Sequence, residues 1–171
     1  GFGGRGFMLD TQNDSFDASS GTTPILARPY FDVSDDQMAQ QNSLVIAYPG
    51  VQTGQVNVST STDLAGGDLF LRRRIHTSHL SRVDFWLGYQ FTRITGDLSI
   101  SSTSTEVSGA QLDVFDQFAT RNEFHAATLG FLAEIDRERW RCEFLAKIGL
   151  GRMHQSASLS GSNTLTDGQT D

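Results

Sequence analysis

Residues 140–152 read WRCEFLAKIGLGR, and their alternation decides the fold. Trp140, Cys142, Phe144, Ala146, Ile148 and Leu150 share one parity. Arg141, Glu143, Lys147, Gly149 and Gly151 share the other, with Leu145 the one large apolar residue among them. A helix would scatter the three charges around its circumference, whereas a strand turns successive side chains to opposite faces. The segment is therefore a strand with one apolar and one charged face.

The same pattern recurs upstream. In RVDFWLGYQF, Val83, Phe85, Leu87, Tyr89 and Phe91 alternate with Asp84, Trp86, Gly88 and Gln90. HAATLGFLAEI sets Ala127, Leu129, Phe131, Ala133 and Ile135 against Thr128, Gly130, Leu132 and Glu134. In AGGDLFLRRRI the apolar set is Ala65, Leu69 and Leu71, opposite Gly66, Asp68 and Arg72. The pattern predicts five strands, at about 4–10, 53–75, 81–101, 121–135 and 140–159, in one continuous segment. Only one stretch, VSDDQMAQQNSL at 33–44, has a spacing that suits a short helix.

The connections between these strands differ in length. Those after Ile75 and Ile135 are short, while 11–52 and 102–120 read as long loops, and the long ones fall at the same end of the sheet. Towards that end the strands pass into Ser/Thr tracts, VNVSTSTD, SISSTSTEVS and SASLSGSNTLT, which keep β-propensity as the surface turns polar. Bacterial outer-membrane barrels combine short periplasmic turns, long external loops and strands of alternating polarity. The apolar alternation in each segment lasts about the 9–11 residues of a tilted membrane strand. The expected fold is all-β: part of an antiparallel up-and-down transmembrane β-barrel, with Trp140, Tyr89 and Phe91 suited to interfacial aromatic belts.

Composition narrows the function. The 171 residues carry a formal charge of −7, with no obvious set of residues to neutralise the phosphates of a nucleic acid, so a nucleic-acid partner is not expected. No apolar run approaches the ~20 residues of a spanning helix. The single cysteine, Cys142, excludes a disulfide framework within the chain.

Several segments resemble a known family: PILARPYFDV, LVIAYPGVQTGQVNVSTSTDLAGGDLFLRRR, RVDFWLGYQFTRI, FDQFATRNEFHAATLGFLAE and RWRCEFLAKIGLG. Together they look like outer-membrane β-barrel porin family 7, a planctomycete-type family, over about residues 4–159. The resemblance implies an outer-membrane barrel of unassigned transport specificity, of which this chain is a fragment, and it supplies no catalytic residues.

On the barrel reading, Asp68, Arg72, Asp84, Gln90, Glu134, Arg141, Glu143 and Lys147 line the lumen, where they pair across strands and set ion preference. Leu69, Leu71, Val83, Phe85, Leu87, Tyr89, Leu129, Phe131, Phe144, Ile148 and Leu150 face lipid. Cys142 joins them as a small hydrophobe. The expected partners are outer-membrane lipid and, if the pore is open, small solutes; neighbouring subunits could complete the barrel. Loop 11–52 is the candidate plug. The rival reading is a secreted soluble β-sandwich or adhesin module whose apolar faces form a dry core.

Other motifs read as structure, and neither an enzyme nor a cofactor is expected. GFGGRG matches G-x-G-x-x-G, yet the dinucleotide fingerprint needs a following helix, and FMLD continues as a strand. His76 and His79 form H-x-x-H on a short turn without a third ligand. Asp14 with Asp17, Asp32 with Asp35 and Asp36, and Asp113 with Asp116 suit solvated loop surface better than a Ca²⁺ site, since no EF-type loop is present.

Overall fold

The computed structural model describes residues 1–32 and 40–168. Among these the chain forms strands and turns without a helix: β1 (Phe2–Ser19), β2 (Leu26–Asp32), β3 (Gln40–Ala47), β4 (Gln52–Thr77), β5 (Ser81–Glu106), β6 (Gln111–Arg137) and β7 (Trp140–Thr166). Five strands form one open antiparallel sheet in the order β1-β4-β5-β6-β7, and β2 and β3 pair as a separate antiparallel hairpin. From β4 to β7 each strand lies beside its neighbour in sequence, the up-and-down order expected from the short turns.

Each of the five expected segments lies within one strand of this sheet, and several strands run further than expected. Segment 102–120 is not a loop. β5 continues to Glu106, the chain reverses through 107–110, and β6 begins at Gln111. The reversal is closed by Glu106 N–H donating to Ala110 O at 2.9 Å and Gly109 N–H donating to Glu106 O at 3.0 Å. Gly109 has φ +92°, a conformation glycine adopts without a Cβ penalty. Ser and Thr alternation carries the ladder past the apolar zone, and the Thr103 hydroxyl donates to Asp113 across it at 2.6 Å.

Segment 11–52 is also largely strand. β1 extends to Ser19 along β4: Thr11 donates to Asp63 at 2.5 Å, Asn57 donates to Asp17, and Ser20 N–H reaches Gly54 O at 2.8 Å. The β2–β3 hairpin occupies most of the remainder. Gln40–Leu44 of the expected helix are strand; 33–39 lie outside the described residues.

Contacts divide the chain into two compact units. The first comprises Gly1–Gln12, Thr62–Gly96 and Thr120–Ala157, and holds the short turns. Its buried side chains are Asp84, Trp86, Ala126, Thr128 and Leu132. The second comprises Asn13–Ser61, Asp97–Ala119 and Ser158–Asp171, and holds the hairpin. There Ile46 and Ala47 of β3 are fully buried. Ile46 packs so closely on Gly54 of β4 that a Cβ at Gly54 would lie 2.8 Å from Ile46 Cγ2. Arg28 of β2, its side chain 11% exposed, forms an ion pair with Asp116 of β6.

Candidate functional site

The charged face of the first unit carries two ionic clusters. Near the β4–β5 turn, the Arg72 Nε–H donates to Asp84 Oδ2 at 2.6 Å, and the Arg72 guanidinium also reaches Glu134 at 3.2 Å. Arg82 pairs with Glu134 and lies 3.5 Å from Asp84, and Arg74 approaches Asp84 at 3.7 Å. Three strands thus contribute to one network, because residues 72, 84 and 134 meet on one face of the antiparallel ladder. At the β6–β7 turn, Arg141 grips Asp136 with two hydrogen bonds of 2.7 and 2.8 Å, the fork geometry in which guanidinium binds carboxylate best.

The second cluster surrounds Asp68. Arg5 donates to its two oxygens at 3.2 and 2.8 Å, and Lys147 Nζ donates to Oδ2 at 2.8 Å. Beside it, the rings of Phe70 and Trp86 lie 3.8 Å apart between centroids, and the Arg5 guanidinium sits 5.0 Å from the Trp86 ring. That distance is within cation–π range. Gln90 shares a cleft with Arg5, Asp68 and Lys147.

The Asp68–Lys147 pair also fixes the local curvature. Asp68 lies on β4 and Lys147 on β7, with β5 and β6 between them. In a flat sheet three strand spacings separate them by about 14 Å, further than the two side chains span together. Within this unit the sheet therefore curls with its charged face concave.

Burial follows the curl. Asp84 is 2% exposed and Thr128 fully buried, whereas Phe144 is 68%, Ile148 63% and Leu150 74% exposed. Leu69, Leu71, Leu87, Tyr89, Leu129 and Phe131 are likewise exposed, and Val83 and Phe85 half-buried. A water-soluble domain does the opposite, keeping charged side chains out and aliphatic ones in. This distribution runs against the β-sandwich reading, in which the apolar face would be the dry core. Among the described residues, Trp86 Nε1 and the Thr128 hydroxyl are buried on the charged face without a hydrogen-bond partner; buried water is the usual partner of such groups.

Most of the residues expected on the charged face meet there. Asp68, Arg72, Asp84, Glu134 and Lys147 enter the two clusters, Gln90 joins the cleft, and Arg141 pairs at the turn. Glu143 is exposed on β7 outside both clusters. Sequence reasoning missed Arg5, Arg82 and the Phe70–Trp86 stack. The parity of Arg82 and Trp86 matches that of Asp84, so the signal was present for those two. Arg5 was hidden in a glycine run read for its glycines. That run belongs to β1, and its Gly3 makes room for the Phe70 ring: a Cβ there would lie 2.6 Å from Phe70 Cζ.

Metal-type constellations do not assemble: among the described residues no three His, Cys, Asp or Glu side chains gather to hold an ion. Of the loop carboxylates expected at solvated surface, Asp14 and Asp17 are exposed, and three accept hydrogen bonds from other side chains. Asp17 accepts from Asn57, Asp116 from Arg28, and Asp113 from Thr103 and Gln111, which hold the Asp113 carboxyl below its ordinary range. Asp35 and Asp36 lie outside the described residues. His76 and His79 are exposed at the β4–β5 turn, and Cys142 is exposed on β7.

Comparison with family models places the chain. The model described as "Putative beta barrel porin-7 (BBP7)" matches residues 1–171, the whole chain. The chain belongs to this family. No curated protein matches it. Membership of the porin-7 family points to a non-enzymatic protein, and the family's name implies an outer-membrane location. The open all-β sheet is compatible with a β-barrel porin.

Proposed function

We propose that this porin-7 chain forms part of the wall of an outer-membrane β-barrel through which small solutes pass passively. The observation that carries the reading is the reversed burial: charged side chains line the concave face, and large apolar side chains cover the convex one. On this reading Leu69, Leu71, Val83, Phe85, Leu87, Tyr89, Leu129, Phe131, Phe144, Ile148 and Leu150 contact lipid, and the Asp68, Asp84 and Glu134 clusters line the lumen. The mechanism is physical. A polar wall replaces part of the solute's hydration, and its fixed charges set the sign of ion that passes most easily.

Bacterial single-chain barrels have at least eight strands. Closure on this reading takes strands beyond these five, from the rest of the protein or from neighbouring subunits. β1 and β7, each paired on one side only, are the edges they would join.

Planar-bilayer recording with the full-length protein tests the channel. Discrete conductance steps are expected, with a reversal potential under a salt gradient that shifts towards cation preference in Lys147→Glu. Absence of conductance, or conductance with unchanged selectivity in the variant, overturns it. Fractionation tests the wall itself: recovery in the soluble fraction without detergent contradicts a membrane barrel.

A further inference from the structure

The convex face of the first unit changes character at one level on three adjacent strands. On β7 the outward parity runs Trp140, Cys142, Phe144, Ala146, Ile148 and Leu150, and then becomes Arg152 and His154. On β6 it runs from Ile135 through Phe131 and Leu129 to Ala127, and then becomes His125, Glu123 and Arg121. On β5, Phe85, Leu87, Tyr89 and Phe91 give way to Arg93. The strand register brings these positions side by side. Tyr89 Oη lies 2.5 Å from His125 Nδ1, and Gly151 packs against the backbone of His125 and Ala126. The ring of Phe91 is 4.9 Å from that of His125.

The height of the apolar band matches a hydrocarbon layer. From Trp140 to Leu150 the strand rises about 33 Å. At the tilt usual in membrane barrels this projects to about 25 Å, the height of their apolar band. Just past the band stand Arg93, Arg121 and Arg152, all exposed, beside the carboxylate of Glu123, which Arg121 already engages at 2.9 Å. On β4, Asp63 accepts from the Thr11 hydroxyl at 2.5 Å and keeps its negative charge, so the row sets three arginines against two carboxylates. A basic row in a chain of net charge −7 is a local reversal of sign. Guanidinium groups bind phosphate as a fork, and Tyr and His suit the boundary between hydrocarbon and headgroup.

We propose that Arg93, Arg121 and Arg152, with Tyr89 and His125 beside them, bind the phosphate of anionic lipid headgroups at this rim of the apolar band. The proposal rests on the membrane-wall reading and adds a lipid preference to it. The field of an anionic surface favours each basic side chain near it by about fivefold.

The test uses the full-length protein, reconstituted in parallel into phosphatidylcholine vesicles and into vesicles that also contain phosphatidylglycerol, with retained lipid counted by native mass spectrometry after extraction. Phosphatidylglycerol is expected to be enriched at least about fivefold over its bulk fraction. The enrichment should weaken in high salt and be lost in Arg93→Gln/Arg121→Gln/Arg152→Gln. The wild-type comparison and its salt dependence need no variant, so poor folding of the triple variant does not remove the test. Insertion into both vesicles without enrichment overturns the headgroup site and leaves the wall reading standing; insertion into neither overturns the wall reading. Displacement of the retained lipid by millimolar inorganic phosphate contradicts a lipid-specific site.

Discussion

Replacing Asp84 with Asn removes the charge on which three arginines converge. Asp84 is 3% exposed at its side chain, with Arg72 32%, Arg82 35% and Arg74 58% exposed around it. Were these charges on a water-facing surface, the loss would be about 0–1 kcal/mol. Removing one partner of a buried ion pair costs about 3–5 kcal/mol, because the remaining charge is left uncompensated. The arginines keep part of their hydration, which places Asp84→Asn at the low end, about 3 kcal/mol. Such a loss changes the folding equilibrium by on the order of a hundredfold. Urea unfolding of the full-length protein in lipid vesicles, followed by tryptophan emission, reads this directly, since Trp86 packs on the same face. Adding Arg82→Gln to Asp84→Asn should recover part of the loss, because the two residues belong to one network and do not act additively. A shift below about 1 kcal/mol, together with strictly additive single and double variants, would refute the reasoning.

Further expectations concern other parts of the molecule. Phe144→Arg, near the middle of the apolar band, should cost about 2–4 kcal/mol of stability in vesicles, against about 0–1 for Trp140→Arg at its rim; equal costs at the two positions contradict the assigned depth. In the second unit, Arg28→Gln removes the ion pair that ties β2 to β6, so limited proteolysis should cut within 20–52 sooner than in the wild type, and an unchanged digestion pattern shows that the pair does not hold the hairpin. At the β6–β7 turn, Arg141 holds the Asp136 carboxyl below its ordinary value. Its stabilising contribution is therefore full above the unfolded carboxylate pKa, near 4, and is lost as pH falls through the lower folded value. Wild type and Arg141→Gln should accordingly differ in stability at neutral pH and converge in acid, and a difference that persists in acid points to packing rather than charge.

Much of this was legible in the sequence because a strand has a period of two. Alternation in 140–152 and its repeats assigned strand order and the members of each face, and it needed no knowledge of distant contacts. Its failures have physical causes. Segment 102–120 read as a loop because much of its ladder is polar: Ser, Thr and Asp side chains carry the strand there, and no continuous apolar stripe marks it. The hairpin of β2 and β3 was missed because Pro29 lies within it and Ile46 and Ala47 bury against another element, a tertiary contact that no local pattern reports. Parity placed Asp84 and Lys147 on one face but could not bring Lys147 to Asp68, since that contact depends on how strongly the sheet curls. Arg5 escaped because the run around it was read for its glycines alone.

The central claim is that the apolar face meets lipid, and nitroxide accessibility tests it most directly. In a Cys142→Ser background, a spin label is placed at Phe131 of the full-length protein, reconstituted in vesicles. Its collision rates with oxygen, which concentrates in hydrocarbon, and with a water-soluble nickel chelate are then compared. The account predicts high accessibility to oxygen and low accessibility to nickel at Phe131, repeated at Leu129. High nickel accessibility at these positions, or burial from both reagents, would contradict it.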